Sequence, residues 1–382
     1  MMITMKRFIL VVAIAGLVHL DIAYSQSPSM PGSKIVIQGA GEILGFGPDR
    51  QTLATHRDKK IQFWDVSTGQ QVRTLSLDIG RLTVVNISPD GATLWTMKDD
   101  NEAKLWNSQN GKLKATVELN NFAPLFAFSQ NGRFVGIGAR AKDNRSVALF
   151  DLETGNLSGT FIHPKIYKYD GGVENIAFWG DDTLITSNES IIYVWSRASG
   201  KIIATLIDPS LTIQKTFWTY YRETSHGCTI YDLSVSNDGK FIATASCDGR
   251  AKLWDLENQK FRSTLVRLKK VVIAVKFSPN GKLLAVSSED RTVRLFDTSS
   301  SKQIAVLQHK GTPHSVEFSP DGRLIATGAD NDHSIKIWDV ETGNLLTELK
   351  DARYPAIFSP DGRTLVTGGE KNTVMLWDVP FK

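Results

Sequence analysis

One pattern of residues returns along most of this chain, and residues 317–344 carry its clearest copy. In that copy an apolar run ends at a Ser-Pro-Asp-Gly turn over residues 319–322, where Pro presets φ and Gly tolerates positive φ. After a second strand, residues 335–338 alternate with the period of two that marks a half-buried strand. A small sheet of this kind cannot bury both of its faces alone, so the unit must be repeated.

Eight copies can be recognised by the aromatic residue that ends the third predicted strand of each copy. These residues are Trp64, Trp106, Phe150, Trp195, Trp254, Phe296, Trp338 and Trp377. Their spacings are 42, 44, 45, 59, 42, 42 and 39 residues, which is the period of a four-stranded blade. Turn signals recur at matching offsets, so the copies are in phase.

The chain resembles the WD-repeat (Trp-Asp) family of β-propellers over about residues 34–379. In that family a His, a Ser or Thr, an Asp and the Trp of a blade are joined by hydrogen bonds. The resemblance therefore implies structural framework roles for His226, Thr244, Asp248 and Trp254 in the fifth copy, and for His309, Thr327, Asp332 and Trp338 in the seventh. The first copy keeps Thr55, Asp58 and Trp64, and the other copies depart further.

The two ends of the repeated region predict how the ring closes. The last copy stops after residues 377–379, so it lacks a fourth strand, which residues 34–38 can supply. In the family such terminal strands pair, and closure removes exposed sheet edges. We therefore predict an all-β fold: an eight-bladed propeller of four-stranded antiparallel blades, closed by the N-terminal strand. A seven-bladed ring with one copy outside it is the alternative.

The first residues predict an export signal. Lys6 and Arg7 precede an apolar run of 13 residues, and small residues at 23–25 suit cleavage before Gln26. An uncleaved anchor is the alternative, although a spanning helix needs about 20 apolar residues. The predicted organisation is a signal peptide over 1–25, a linker over 26–33 and a propeller over 34–382. We expect an exported, bacterial-type member, periplasmic or secreted, with no membrane span after cleavage.

Charge and motifs exclude several classes of function. The formal charge of +4 gives no support for a nucleic-acid partner, which would need clustered Lys and Arg. There is no phosphate-binding Gly-rich loop, no dinucleotide fingerprint and no His pair at zinc spacing. His226, Ser246 and Asp248 contain the ingredients of a catalytic triad, but a triad is recognised by geometry. We expect no cofactor, no metal and no enzymatic activity.

The two cysteines, Cys228 and Cys247, fall in one copy, at the start of its first strand and the end of its second. Antiparallel pairing across the intervening turn puts them nearly opposite each other. A disulfide is one interpretation, suited to an exported protein. Two buried free thiols are the other.

The repeat is interrupted at two adjacent long connections, and function on such scaffolds usually lies where the repeat is broken. The spacing of 59 residues between the fourth and fifth copies, against 42 for the regular copies, puts 17 extra residues into 208–225. Aromatic residues are frequent in this segment and in the preceding connection, 163–172, and we predict that both lie on one face of the ring. The candidate binding residues are Tyr167, Tyr169, Phe217, Trp218, Tyr220 and Tyr221. A local aromatic core covering the ring is the alternative.

These observations favour a monomeric, non-enzymatic scaffold that binds a protein or peptide partner through the loops of blades 4 and 5. A glycan-binding envelope propeller would also use exposed Trp and Tyr. A quinone-dependent dehydrogenase-like propeller is a further alternative, because residues 339–343 resemble the Asp-x-x-Thr-Gly turn of such enzymes. The Trp that follows that turn in those enzymes is absent here.

Overall fold

The computed structural model describes residues 34–77, 84–98, 102–118, 125–138, 145–165, 172–215, 220–329 and 332–379. The predicted signal peptide and linker lie outside these residues. The regular structure of the described residues is all β-strand, numbered β1 to β34 in chain order. Within the same ranges, no helix has the length and hydropathy to cross a membrane.

Eight four-stranded antiparallel sheets contain 32 of the strands, and seven of these sheets are continuous in sequence. Blade 1 is β2 (Glu42–Phe46), β3 (Thr52–Arg57), β4 (Lys60–Asp65) and β5 (Gln71–Ser76); blade 2 is β6 (Val84–Ile87), β7 (Thr93–Lys98), β8 (Glu102–Asn107) and β9 (Leu113–Glu118). Blade 3 is β10 (Leu125–Phe128), β11 (Phe134–Gly138), β12 (Ser146–Asp151) and β13 (Leu157–Ile162); blade 4 is β14 (Val173–Trp179), β15 (Thr183–Asn188), β16 (Ile191–Ser196) and β17 (Lys201–Leu206).

An additional two-stranded hairpin, β18 (Thr212–Lys215) and β19 (Tyr220–Glu223), separates blade 4 from blade 5. Blade 5 is β20 (Ile230–Val235), β21 (Phe241–Ser246), β22 (Arg250–Asp255) and β23 (Lys260–Arg267); blade 6 is β24 (Val272–Phe277), β25 (Leu283–Ser288), β26 (Thr292–Asp297) and β27 (Gln303–Gln308). Blade 7 is β28 (Pro313–Phe318), β29 (Leu324–Ala329), β30 (Ser334–Asp339) and β31 (Leu345–Lys350); blade 8 is β32 (Arg353–Phe358), β33 (Thr364–Gly368), β34 (Val374–Asp378) and β1 (Lys34–Ile37).

The turn between the first two strands of a blade follows from its sequence. In blade 7 the Ser319 hydroxyl donates to Asp321 Oδ1 at 2.6 Å, and the same oxygen accepts the Arg323 backbone N–H at 3.0 Å. Gly322 adopts a φ of 73°, which a residue with a Cβ rarely takes. The first strands of neighbouring blades contact one another around the ring, as β20 contacts both β14 and β24. These first strands are therefore the inner strands.

The eighth blade is completed by the N-terminal strand. β1 pairs antiparallel with β34, with Lys34 opposite Trp377 and Ile37 opposite Val374. This pairing confirms the predicted closure and the eight-bladed fold. The seven-bladed alternative is wrong, because every copy forms a sheet of its own.

The hydrophobic core lies between blades rather than within them. Eight clusters of buried apolar side chains each join two consecutive blades. The cluster that closes the ring packs Leu53 and Trp64 of blade 1 against Val366 and Leu376 of blade 8. Each blade therefore depends on both neighbours for burial of its faces.

Candidate functional site

The extra residues between blades 4 and 5 form the hairpin of β18 and β19. In its ladder Tyr221 lies opposite Gln214 and Tyr220 opposite Lys215. Of the six candidate binding residues, these two tyrosines fall on a described strand. The other four, Tyr167, Tyr169, Phe217 and Trp218, lie outside the described residues. The hairpin explains why the spacing lengthens here without disturbing either blade.

The base of this hairpin is fastened to blade 4 by hydrogen bonds. The Asp208 N–H donates to the Thr224 carbonyl at 2.9 Å, which brings the two ends of the segment together. The Ser225 N–H donates to the Ser190 carbonyl at 3.0 Å, and the Ile192 N–H donates to Ser225 Oγ at 3.1 Å. The segment thus leaves and rejoins the ring at a closed neck.

A buried ion pair fastens the same neck to blade 5. Lys252 Nζ donates to Asp208 Oδ2 at 2.7 Å and to the Ser225 carbonyl at 2.6 Å. Side-chain exposure is 0% for Lys252 and 2% for Asp208. Burial alone would raise the pKa of Asp208, but hydrogen bonds from Lys252 and Ser210 outweigh burial and hold that pKa below its usual value. Asp208 is therefore ionised at neutral pH and pairs with Lys252.

The role of Lys252 was not predicted from the sequence, although a local signal exists. Lys252 stands two residues before the blade-ending Trp254, and Lys336 stands two residues before Trp338. Lys336 Nζ likewise donates to a carbonyl at the end of the preceding blade, that of Gln308, the last residue of β27, at 3.2 Å. In these two blades the lysine two residues before the tryptophan therefore contacts the part of the chain that leads in from the preceding blade, whereas Lys104, two residues before Trp106, pairs with Glu102 of its own strand.

The fifth blade contains the complete framework. His226 Nε2 and Thr244 Oγ1 are 2.7 Å apart, and Trp254 Nε1 donates to the same hydroxyl oxygen at 3.0 Å. His226 Nδ1 lies 3.1 Å from Asp248 Oδ2. Burial would raise the pKa of Asp248, yet hydrogen bonds from His226 and from two backbone N–H groups hold it well below its usual value. The four side chains form one continuous chain of hydrogen bonds.

This geometry does not form a catalytic triad. Both ring nitrogens of His226 are engaged, by Thr244 and by Asp248. The Ser246 hydroxyl instead donates to the Cys228 carbonyl at 3.2 Å. His226 is fully buried. A nucleophilic serine requires a histidine nitrogen as its base, and none is directed at Ser246.

The seventh blade repeats only part of the framework. His309 Nδ1 lies 3.1 Å from Asp332 Oδ2, and Trp338 Nε1 donates to Thr327 Oγ1 at 2.7 Å. Within the described ranges, His309 Nε2 has no hydrogen-bond partner, so the link between the histidine and Thr327 is missing. The two halves of the framework are therefore separate in this blade.

The first blade corrects one framework expectation. Trp64 Nε1 donates to Thr55 Oγ1 at 2.8 Å, as expected. Asp58, however, is 86% exposed at the tip of a two-residue turn, and it pairs with Arg57 rather than with framework residues. The prediction for Asp58 is wrong because this turn is too short to direct the carboxylate inward.

Blade 4 has a framework histidine, His163, that was not predicted from the sequence. His163 Nε2 lies 2.6 Å from Thr186 Oγ1, which also accepts the Trp195 indole N–H at 2.8 Å. The histidine precedes its threonine by 23 residues, against 18 for the pair in blade 5. Burial, assisted by nearby Arg145, lowers the pKa of His163 to about 3.

His163 predicts a pH dependence of stability. Its pKa is near 6.5 when unfolded and about 3 when folded, so between these values only the unfolded chain binds the proton. Stability present above pH 6.5 is therefore lost as pH falls, by about 1.4 kcal/mol per unit. Urea unfolding of His163→Gln is expected to show a shallower slope over this range than the original chain. Equal slopes would contradict the buried, neutral histidine.

The two cysteines form a disulfide, with Sγ atoms 2.01 Å apart and Cα atoms 5.5 Å apart. Cys228 lies two residues after His226, and Cys247 directly precedes Asp248. The bond therefore joins the segment that enters blade 5 from the hairpin to the turn that supplies the framework aspartate.

Removing this disulfide is expected to lower the free energy of unfolding by about 3 kcal/mol, because the unfolded chain loses a loop constraint. The variant Cys228→Ser, Cys247→Ser should show this change in urea unfolding, and dithiothreitol should reproduce it in the original chain. The double variant is the control and should not respond to dithiothreitol. Two free thiols in the unreduced, unfolded chain would refute the bond.

Among the described residues, no group of three or more His, Cys, Asp or Glu side chains is arranged to hold a metal ion. The polar arrangements seen there are hydrogen-bonded frameworks and ion pairs between strands and connections.

The chain is similar to several known proteins that contain WD repeats. The family model "WD domain, G-beta repeat" matches residues 218–255, 263–297, 301–339 and 352–378. The chain is 24% identical to "THO complex subunit 3" of Arabidopsis thaliana, over 62% of this chain and 67% of that protein. It is also 24% identical to "Guanine nucleotide-binding protein subunit beta" of Arabidopsis thaliana, over 72% of this chain and 73% of that protein.

Two further proteins are similar to this chain, and the matches cover different shares of their own lengths. "Periodic tryptophan protein 2 homolog" of Dictyostelium discoideum is 24% identical over 73% of this chain, and the match spans 27% of that longer protein. The crystal structure of the computationally designed Ika8 protein superposes with a TM-score of 0.68, covering 89% of this chain and 97% of that one. At 20% identity this second likeness shows the fold alone.

Proposed function

The chain belongs to the WD-repeat family of β-propellers, and from that premise we propose that it is a non-enzymatic protein-interaction scaffold that works outside the cytoplasm. Its partner is a protein or peptide that binds the loop face around blades 4 and 5. The ring supplies a rigid platform, and the hairpin of β18 and β19 supplies the contact that distinguishes this chain from a regular propeller.

The observation that carries this proposal is the fastening of the hairpin. In the regular blade 7 the equivalent lysine, Lys336, pairs with Asp332 of its own blade, whereas the inserted segment itself supplies the buried Asp208 that pairs with Lys252. Burying an ion pair is costly unless its geometry and hydrogen bonds are good, and here Ser225 and Ser210 supply those bonds. A loop held at a rigid neck loses less entropy on binding, which favours affinity.

Two features support a location outside the cytoplasm. The N-terminal segment has the charge and hydropathy order of an export signal. The disulfide of Cys228 and Cys247 belongs to a class of bond that persists mainly in oxidising compartments. Mass spectrometry of the chain from its host should give an N-terminus at Gln26, and an N-terminus at Met1 would argue against cleavage.

The test is affinity capture from the extracytoplasmic fraction of the host. The variant replaces residues 212–223, which include β18 and β19, by a short Gly-Ser turn and keeps Asp208, Ser210, Thr224 and Ser225, so that the neck and the ion pair survive. A matched control replaces two exposed residues of the outer strand β27, Ile304→Ser and Val306→Ser. We expect one partner to be lost from the variant and kept by the control, with equal thermal midpoints.

Retention of all partners by the variant would overturn the proposal. A bound species that resists protease and is released by glycosidase would support the glycan-binding alternative instead. Binding of that species should then fall on Trp218→Ala.

A further inference from the structure

Blade 4 departs from the other blades at the turn that follows its inner strand. In six blades the first residue of this turn is a buried serine whose hydroxyl accepts the backbone N–H five residues later. These serines are Ser88, Ser129, Ser236, Ser278, Ser319 and Ser359. Blade 1 has Gly47 at this position. In blade 4 the position is taken by Trp179, the last residue of β14, which pairs with Thr183 across a short loop. Blade 4 therefore lacks the serine that fastens this turn elsewhere.

Trp179 is 41% exposed, at the end of the ring opposite the inserted hairpin. The inner strands end here, whereas the hairpin leads into blade 5 where β20 begins. A Cβ at Gly239 of blade 5 would lie 1.5 Å from Trp179 Nε1, so the indole packs directly against this glycine. Among the described residues, the other exposed large apolar side chains lie on outer strands or near the start of inner strands. Trp179 is thus an isolated aromatic surface held in place by the next blade.

Polar side chains from the turns of blades 3, 4 and 5 border this indole. Asn131 Nδ2 of blade 3 donates to Asp181 Oδ2, two residues after Trp179. Gln130 Nε2 of blade 3 donates to Asn237 Oδ1 of blade 5 at 3.4 Å, so the turns of these two blades are in contact. Gln130, Asn131 and Asn237 are exposed, and Asp181 is half-buried. The exposed aromatic ring is therefore bordered by amides and a carboxylate rather than by other apolar side chains.

The charged side chains of these three turns are, with one exception, in ion pairs. The pairs, with nitrogen–oxygen distances of 3.0, 3.8 and 3.3 Å, are Arg197 with Asp182, Lys240 with Asp238, and Arg133 with Asp151. The exception is Asp181, which accepts a hydrogen bond from the Asn131 amide. An ionic ligand would need uncompensated charge of the opposite sign. This surface therefore suits a neutral, hydrogen-bonding ligand.

These features favour a carbohydrate. The face of an aromatic ring carries partial negative charge, which attracts the polarised C–H groups on the flat side of a pyranose ring. Sugar hydroxyls both donate and accept hydrogen bonds, as do the amides of Asn and Gln, and a carboxylate accepts from them. A protein hot spot would instead be enclosed by contacts that exclude water.

We propose that Trp179 is the stacking surface of a binding site for a neutral oligosaccharide, and that Asp181 and Gln130 hydrogen-bond its hydroxyls. This site goes beyond the proposed function, because it lies at the opposite end of the ring from the hairpin.

The test uses the full chain labelled with 5-fluorotryptophan, titrated with cellohexaose and followed by fluorine NMR. The chain has nine Trp residues, and the signal absent from the spectrum of Trp179→Phe belongs to Trp179. We expect cellohexaose to shift that signal and to leave the others in place. Sorbitol, an open-chain polyol without a ring face, should not shift it. A Trp179 signal that does not respond to cellohexaose would overturn the proposal.

Two variants test the site, with binding measured by saturation-transfer NMR of the oligosaccharide. Trp179→Ser introduces the residue that six other blades have, and it should weaken cellohexaose binding about tenfold or more. Gln130→Ala, Asp181→Ala keeps the indole and should weaken binding about fivefold or more, which does not depend on how well Trp179→Ser folds. The matched control, Tyr231→Ala, removes an exposed aromatic ring at the opposite end of the inner strands and should bind normally.

The chain with residues 212–223 shortened should also bind cellohexaose normally, so loss of the hairpin partner and loss of the sugar are independent results. Normal binding by both site variants would contradict the proposal. So would equal binding of an uncharged Leu-Ser peptide of similar size, which would indicate a protein partner, or an equal loss of sugar binding in Tyr231→Ala.

Discussion

Deleting residues 26–38 is expected to lower the free energy of unfolding by about 5 kcal/mol or more, because the ring can no longer close. The deletion removes β1, whose four residues pair with β34 from Lys34 to Ile37. It also removes buried Ile37 from the cluster that joins blades 8 and 1. The exposed edge of β34 should promote self-association. Urea unfolding and size-exclusion chromatography measure the two effects.

Two controls separate closure from mere loss of the terminus. Deleting residues 26–31 alone should leave stability unchanged, because β1 is kept. Ile37→Ala should lower the free energy of unfolding by about 2 to 5 kcal/mol, and Val36→Ala, at an exposed position of the same strand, by much less. A full deletion that stays monomeric and equally stable would show that β1 does not close the ring.

Replacing Lys252 with Met is expected to lower the free energy of unfolding by about 3 to 5 kcal/mol. The substitution keeps most of the side-chain volume but leaves Asp208 buried without its cation. The Ser225 carbonyl also loses its donor. The double variant Asp208→Asn, Lys252→Met should recover much of this loss, since no charge then remains buried.

Blade 7 provides a matched control for this experiment. Lys336 occupies the position equivalent to Lys252, and it lies 3.5 Å from Asp332. Asp332 keeps His309 as a second partner, so Lys336→Met should cost less than Lys252→Met. Equal costs for the two lysines, or no recovery in the double variant, would contradict a special role for the pair at the hairpin neck.

The periodic part of the molecule was predictable from the sequence for physical reasons. A blade buries its faces only against its neighbours, so each copy must keep its strands, turns and terminal aromatic residue in phase. The blade number follows from the eight aromatic positions. The closure follows from a last copy that lacks its outer strand. The eight four-stranded sheets confirm the blade number, and the pairing of β1 with β34 confirms the closure.

The contacts that depend on loop length were not predictable in the same way. The pair of Lys252 and Asp208 depends on the insertion between blades 4 and 5, and the pair of His163 and Thr186 depends on the extended connection between blades 3 and 4. The repeat period does not predict which residues meet in such segments. The predicted framework role of Asp58 was wrong because the turn that contains it is short. Its turn is two residues long, between β3 and β4, whereas three residues separate β21 from β22 and direct Asp248 inward.

The most direct test of the proposed function is site-specific photo-cross-linking in the native host, with a photoreactive phenylalanine analogue at position 220 or 221 and, as a control, at the exposed position 72 on the outer strand β5. The proposal predicts a discrete protein adduct from positions 220 and 221, absent from position 72, with the mass of the partner lost from the shortened variant. An adduct of equal yield from position 72, or none from either hairpin position, would contradict binding through the inserted hairpin.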